Sequence, residues 1–395
     1  MEQPRANLVP GPTVVPKYLQ DRYATTFYGS GDLEPKCLDL YLDCCSSLEK
    51  LLSFEAEKRK GGSIVIMSGE GMVALWGGLK SVIPWPFYYD PEGNLVQQES
   101  VERGKYRVLC VGNGVYGCGM FEMVKSLRYP NVVVRAVDSE WDQPVDVEKA
   151  VETIHEWKPD LVTMVHCDTP TGALNSEAVR AIGEACSKTD TLLYVDMVSS
   201  AGAVPVDVSG WNIDIGLLGS QKAFSCEPSL AMITVSAKAW KQVEKVAYTG
   251  YDALLPFISA DKTGLPYTPL WSALDALNIQ LRTVFGNINE YAQEVYGRHE
   301  KVAHYCRERV QKMGLTLWWD KEHASLSSAS VTAIRVPDNT TWEELDKKLR
   351  KEGVVFGGSY GQTANALFRI GHMGTQADLA TVTYALDVLE KIVAK

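Results

Sequence analysis

The sequence predicts an α/β protein: a large, doubly wound, seven-stranded, mostly parallel sheet followed by a small α+β domain. Three observations carry this. Short apolar runs alternate with amphipathic stretches through the first two thirds of the chain, the pattern of a parallel-rich sheet with helices on both faces. At 395 residues, 46% of them hydrophobic, the chain is too long for one small core and apolar enough to bury a large one. Near Trp271 the pattern changes to a long helical run through Leu274, Leu277, Leu281 and Val284 towards Val310, which reads as the connection between domains. The expected division is an N-terminal arm over 1–20, a large domain over 21–285 and a small domain over 286–395.

The expected strands are Ile64–Met67, Arg107–Val111, Val132–Ala136, Leu161–Val165, Leu192–Val195, Ile213–Leu218 and Ala231–Val235. Each is a short apolar run bounded by polar or glycine-containing segments, as strands buried on both faces should be. Between them, apolar residues recur at helical spacing over Met72–Val82, Met120–Ser126, Val147–Glu156 and Ser176–Cys186. The last third reads as strands at Ala329–Val336, Val354–Phe356 and Ala366–Ile370, a helix opening near Thr341-Trp342-Glu343-Glu344 and a closing helix from Ala377.

Composition narrows the function. A formal net charge of -10 with no basic run argues against nucleic acid or an anionic membrane as the main partner. The nine cysteines show no CxxC spacing, so neither a zinc site nor a disulfide framework is indicated. No stretch approaches membrane-spanning length, and the C-terminal Val393-Ala394-Lys395 is no peroxisomal signal; the expected location is cytoplasmic.

The chemistry begins at Lys222, which follows the apolar run Ile213–Leu218 through Gly219-Ser220-Gln221. Lysine is seldom buried without a task, and one such task is Schiff-base formation by an amine whose charged form is disfavoured. Asp196 closes the preceding apolar run, so a carboxylate and an amine stand at successive strand ends, where open α/β sheets bind ligands. Pyridoxal phosphate asks for that pair, the lysine for its aldehyde and the aspartate for its pyridine nitrogen. A loop-capping lysine and a turn-starting aspartate explain each residue taken alone equally well.

Three further loops fall at strand ends. Ser68-Gly69-Glu70-Gly71-Met72 joins a strand to a helix, with glycines that let N–H groups approach a phosphate, although Glu70 puts an anion in that seat. Tyr116, in Gly112-Asn113-Gly114-Val115-Tyr116-Gly117, offers a face for a heteroaromatic ring or a core side chain. Thr169, in His166-Cys167-Asp168-Thr169-Pro170-Thr171-Gly172, offers a hydroxyl for a phenolic oxygen or caps a turn.

In order and spacing these segments resemble the class V aminotransferases of the pyridoxal-phosphate fold type I, in the alanine-glyoxylate and serine-pyruvate branch. The resemblance runs from Val9-Pro10-Gly11-Pro12-Thr13 through Ser68-Gly69-Glu70, Val115-Tyr116-Gly117, Thr169-Pro170-Thr171-Gly172, Val195-Asp196-Met197-Val198-Ser199-Ser200 and Gly219-Ser220-Gln221-Lys222 to Phe368-Arg369-Ile370-Gly371-His372-Met373-Gly374. It implies that Lys222 is the Schiff-base lysine, Asp196 the partner of the pyridine nitrogen, Tyr116 the stacking residue and Arg369 the clamp for the substrate carboxylate. It also implies cofactor contacts at Thr169 and Val198, and a phosphate held by Ser68, Gly69 and Gln221 beside Glu70. The family is dimeric, which implies a homodimer in which Thr268, with Tyr267, reaches the neighbouring active site.

The activity this implies is transfer of an amino group from a small amino acid, alanine or serine, to glyoxylate or pyruvate, in a pocket bordered by Tyr28 and Tyr360. Two departures bear on substrate. Tyr116 stands where the alanine-glyoxylate enzymes usually have tryptophan, and Glu70 replaces a small or basic residue. Both are similar to pyridoxamine-pyruvate aminotransferase, which takes unphosphorylated pyridoxamine as a substrate. For a bound phosphate, Glu70 is expected to turn to backbone N–H groups or solvent. Class V epimerases and lyases share the lysine and aspartate and stay open; a desulfurase is disfavoured, since none of the nine cysteines lies in a glycine-rich loop near Arg369.

Overall fold

The computed structural model describes residues 4–24, 29–30, 33–89, 92, 95–97, 105–286, 288–319 and 322–394. Seven strands make the central sheet: β1 (Ser63–Ser68), β2 (Tyr106–Gly112), β3 (Val132–Asp138), β4 (Leu161–Val165), β5 (Leu192–Asp196), β6 (Ile215–Gly219) and β7 (Leu230–Val235). Their spatial order is β1-β7-β6-β5-β4-β2-β3, and all neighbours run parallel except β7, which is antiparallel to both β1 and β6. These are the seven strands expected from the apolar runs. Every position of β4, β6 and β7 is buried, which is why their sequences are continuously apolar.

Alternate residues of the strands feed two cores. On one face Leu109, Val111, Leu193 and Val195 pack against α1 (Pro35–Leu51), α4 (Val147–Trp157), α5 (Ser176–Lys188) and α6 (Trp271–Phe285). On the other, Val108, Cys110, Tyr194 and Leu217 pack against α2 (Gly71–Val82) and α3 (Val115–Ser126).

The run expected as one long helix towards Val310 is two helices, α6 and α7 (Ile288–Lys312). The first ends at Gly286, a residue type with almost the lowest helix propensity. Beyond α7 lie a three-stranded sheet, β8 (Val331–Arg335), β9 (Gly357–Gly358) and β10 (Leu367–Gly371), in the order β8-β10-β9, and helices α8 (Trp342–Lys351) and α9 (Leu379–Val393). α8 opens with a capping box between Thr341 and Glu344. The core of this lobe also takes in Ala6 and Leu8, and Ala6–Asn7 pairs in parallel with Val354–Val355. The N-terminal segment is therefore stitched into the small lobe. No helix among the described residues is long and apolar enough to cross a membrane.

Candidate active site

The C-terminal ends of the parallel strands surround one cavity, the place where such sheets bind ligands. It is lined by Glu70 and Gly71 after β1, Tyr116 after β2, Thr169 after β4, Asp196 and Val198 at the end of β5, and Gln221 and Lys222 after β6. Tyr28 lies outside the described residues.

Lys222 is half-buried, and its Nζ donates to the carbonyl oxygen of Pro10 at 2.7 Å. Burial, helped by the nearby Arg369 guanidinium, brings its pKa down to about 8, so the free amine is accessible near neutrality. The N-terminal segment holds the lysine's backbone too: Thr13 Oγ1 donates to the Lys222 carbonyl at 2.8 Å and Thr13 N to that of Gln221 at 2.9 Å. Gly11 has φ +83°, and a Cβ there would stand 2.7 Å from Lys222 Nζ. Only glycine lets the strap pass so close.

Asp196 accepts from Val198 N at 2.8 Å, and burial raises its pKa to about 6, against the pull of that bond and of Lys222. Thr169 is buried and shares a short hydrogen bond with Ser199. Val198 and Thr169 thus flank Asp196 in the same cavity.

Tyr116 stands in the first turn of α3 with 41% of its surface exposed, in electrostatic reach of Tyr360, Arg369, Asp168 and Asp196. The helix begins five residues before the expected Met120, because the glycines at 117 and 119 hid its start from periodicity. Its N-cap, Gly114, has no side chain to offer. Asp168, in the short strand Cys167–Asp168 that follows β4, supplies one: its Oδ2 accepts from Tyr116 N at 2.8 Å and Gly117 N at 3.1 Å. Sequence reasoning gave Asp168 no role; the only available signal was a carboxylate beside the Thr169 motif.

Arg369 lies on β10, 4% exposed, with Nε donating to the Gly358 carbonyl at 2.8 Å and Nη2 donating to the same oxygen. Its guanidinium carbon sits 5.0 Å from the ring centroid of Tyr360. Tyr360, Arg369, Tyr116 and Lys222 therefore belong to one neighbourhood, as expected.

At the phosphate end Gly69 and Ser68 lie otherwise than expected, while Thr268 was expected to serve the neighbouring site and not this one. Gly69 N donates to Ser229 O at 2.8 Å, so Gly69 contributes a φ of +122° to the turn and has no N–H to spare. Ser68 and Thr268 wall a separate cavity together with Tyr267, and Ser68 Oγ accepts from Leu270 N at 3.3 Å. They are brought to each other but not, within this chain, to Lys222. Glu70 is the N-cap residue of α2, yet its side chain makes no capping bond and its carboxylate lies in electrostatic reach of Lys222. Of the two orientations expected, towards backbone N–H groups or towards solvent, the first has no capping bond to show and the second is open to it, since Glu70 is half-buried. Gln221 does line the cavity, with a buried amide oxygen that has no partner among the described residues.

The class V aminotransferase profile matches residues 120–365. The chain belongs to this family. It is 31% identical over 291 residues to pyridoxamine–pyruvate transaminase of Mesorhizobium japonicum, covering 71% of each chain, and 31% identical over 288 residues to serine–glyoxylate aminotransferase of Methylorubrum extorquens, covering 69% of each. The crystal structure of ureidoglycine-glyoxylate aminotransferase from Bacillus subtilis superposes with a TM-score of 0.85 at 24% identity, covering 100% of this chain and 94% of that one. The protein is thus an aminotransferase of the pyridoxal-phosphate-dependent, fold type I kind. Its cavity fits the cofactor's ring end: a half-buried amine held below the ordinary lysine range, a buried carboxylate and a half-open aromatic face line one space, with the Gln221 amide oxygen unpartnered at its edge. Among these lining residues Glu70 is the one that sits poorly beside a phosphate dianion.

Proposed function

We propose that this aminotransferase moves the amino group of alanine or serine to glyoxylate or pyruvate, with Lys222, Asp196 and Arg369 as the residues that carry the reaction. The observation that supports it best is the buried Arg369, placed under Tyr360 and close enough to Lys222 to depress its pKa. A planar guanidinium with N–H groups left over after Gly358 matches a carboxylate bidentately. A small substrate pinned there, beneath the Tyr360 ring, presents its Cα to Lys222.

When bound, the cofactor supplies an aldehyde that takes the amino group and a ring that accepts the electrons released at Cα. Lys222, freed by the substrate, is the base that removes the Cα proton and returns one on the other side of the transferred nitrogen. Asp196 holds the proton of the pyridine nitrogen, and Tyr116 fixes the plane of the ring. Thr169 offers its hydroxyl to the phenolic oxygen, and Val198 packs against the ring. The first turn of α2, whose N–H groups have no intrahelical partner, and Gln221 hold the phosphate. Thr268 completes that seat from a second copy of the chain. The exposed Tyr251 and Leu270 beside the Thr268 cavity support such a homodimer, and nine free cysteines suit a reducing cytoplasm.

The test is to incubate the purified protein with a panel of amino acids and 2-oxo acids and identify every product. Alanine or serine with glyoxylate or pyruvate should give the exchanged pair. Racemised amino acid, or a 2-oxo acid formed with ammonia, would assign the site to epimerase or lyase chemistry instead.

One observation favours a second reading. The Glu70 carboxylate stays in the cavity unbonded by its own helix, where it suits a neutral 5'-hydroxyl better than a phosphate, and a relative acts on pyridoxamine. Mass spectrometry of the ligand released on denaturation separates the two. Pyridoxal phosphate supports the first reading; its absence, with turnover of free pyridoxamine and pyruvate, supports the second.

A further inference from the structure

Asp168 belongs to neither reading, yet the fold goes to some length to place it. It is 1% exposed, three residues beyond β4, and reaches across to the N-terminus of a helix 52 residues earlier. There it accepts from the N–H groups of Tyr116 and Gly117. Its Oδ1 is buried and has no hydrogen-bond partner among the described residues. The carboxylate rests on Gly114, where an added Cβ would stand 2.6 Å from each of its oxygens. Gly114 has φ -174°, extended backbone open to any residue, so glycine is required there by the space the carboxylate takes and not by backbone strain. A side chain at the N-cap would do the capping locally; here the chain leaves the N-cap bare and brings a buried charge from another strand.

We propose that Asp168 is a positioning residue of the reaction: by tying down the first turn of α3 it fixes the Tyr116 backbone, and through it the ring that bounds the cofactor cavity. A local cap at Gly114 would secure the helix but leave its first turn free to swing with its own loop. A carboxylate anchored in the short Cys167–Asp168 strand, which pairs with Ala173–Leu174, refers that turn to the segment that also carries Thr169. Ring and hydroxyl are then held in one frame, and burial of Asp168 keeps water from competing for the two N–H groups. The charged groups facing it are Arg369 on β10 and Asp196 on β5. Arg369 favours the ionised form and Asp196 opposes it, while burial pushes Asp168 up to about 6. The proposal rests on the reading of Tyr116 as the face on which the cofactor ring lies.

The experiment compares Asp168→Ala, Gly114→Ala, their double variant and Tyr116→Ala. Affinity for pyridoxal phosphate and visible circular dichroism of the bound cofactor are the readouts. Dichroism reports how the ring is held and is not moved by a change in stability alone. Asp168→Ala should weaken cofactor binding roughly tenfold and reduce the dichroic band. Gly114→Ala, which displaces the carboxylate without removing it, should do the same. The double variant should be no worse than the worse single, since both act on one contact. Wild-type affinity and dichroism in Asp168→Ala, or losses that multiply in the double variant, would overturn the proposal. Should Asp168→Ala fail to fold, Gly114→Ala keeps the carboxylate but displaces it from the two N–H groups, and its retaining the wild-type band is equally contrary. Tyr116→Ala separates the two levels. If it changes neither readout, the reading of Tyr116 falls and this proposal with it; if it alone changes them, only the role of Asp168 falls.

Discussion

Lys222 and Arg369 lie close together, and each sets a condition on the other. The guanidinium proposed to receive a carboxylate also disfavours the protonated lysine, adding to the larger effect of burial and bringing it to about 8. Only the free amine attacks an aldehyde, so reloading the stripped enzyme with pyridoxal phosphate should accelerate as pH rises from 6 to 8 and level off above that. Stopped-flow absorbance checks this; a rate that keeps climbing to pH 10 would mean an ordinary lysine. Arg369→Leu should shift the rise to higher pH. Arg369→Lys keeps the charge but not the fork, leaving the substrate carboxylate desolvated at a penalty of a few kcal/mol, or roughly a hundredfold in kcat/KM. Steady-state kinetics with alanine measure it, and efficiency within about twofold of wild type, only ~0.4 kcal/mol, would place the clamp elsewhere. Lys222 and Asp196 were legible in the sequence because each follows or closes an apolar run, and Arg369 because its segment Phe368-Arg369-Ile370-Gly371 resembles the family's. Asp168 was not, because its partners are backbone N–H groups on a helix 52 residues earlier in the chain. Glu70 was legible as a departure, but its orientation depends on the turn at Gly69, which no periodicity reports.

The strap before α1 is the element whose importance the sequence understated. It was expected as an arm over 1–20, yet it pairs with Val354–Val355, caps Lys222 through Pro10 and Thr13, and is held by Gln376, whose Nε2 donates to Val9 O at 2.9 Å while its Oε1 accepts from Val14 N at 3.2 Å. A two-residue strand and side-chain ties across more than 200 residues leave no periodic signal. Gly11→Ala places a methyl group on the lysine side chain and strains a backbone at φ +83°, so it should slow turnover at least tenfold while the melting temperature of the apoprotein falls only a few degrees. Parallel kinetics and calorimetry decide; wild-type turnover would free the strap from the site. By contrast the sheet strands were legible almost to the residue, since strands buried on both faces leave no choice but continuous apolar runs. The helices were less so: α3 began early because a distant side chain caps it, and the run after Trp271 broke at Gly286.

At the scale of the whole molecule, burial governs the response to acid. His166 bonds Ser200 and Ser176, His372 bonds Thr332 and the Ala329 carbonyl, and His299 Nε2 accepts from Gly374 N, all out of solvent. Burial lowers their pKa values to about 3, 3 and 4 respectively. Below about pH 6.5 the unfolded chain therefore binds protons that the folded one refuses, and stability falls as pH drops towards 4. Asp168 and Asp196, both raised to about 6, act in the opposite sense between about 6 and 4, as do Asp138 and Asp214, also raised by burial, but over a narrower pH span than the three histidines. The melting temperature of the apoprotein should decline from pH 7 to pH 4.5 in a calorimetric series, and a flat or rising profile would contradict this balance. The fold itself, with its sheet order and two-sided cores, exists to bring five strand ends to one cavity, and the claim on which everything else depends is that Lys222 is the residue joined to the cofactor there. Borohydride reduction of the holoenzyme followed by peptide mapping tests it most directly: the account predicts a single pyridoxyl-labelled peptide containing Lys222, and a label on any other lysine would contradict it.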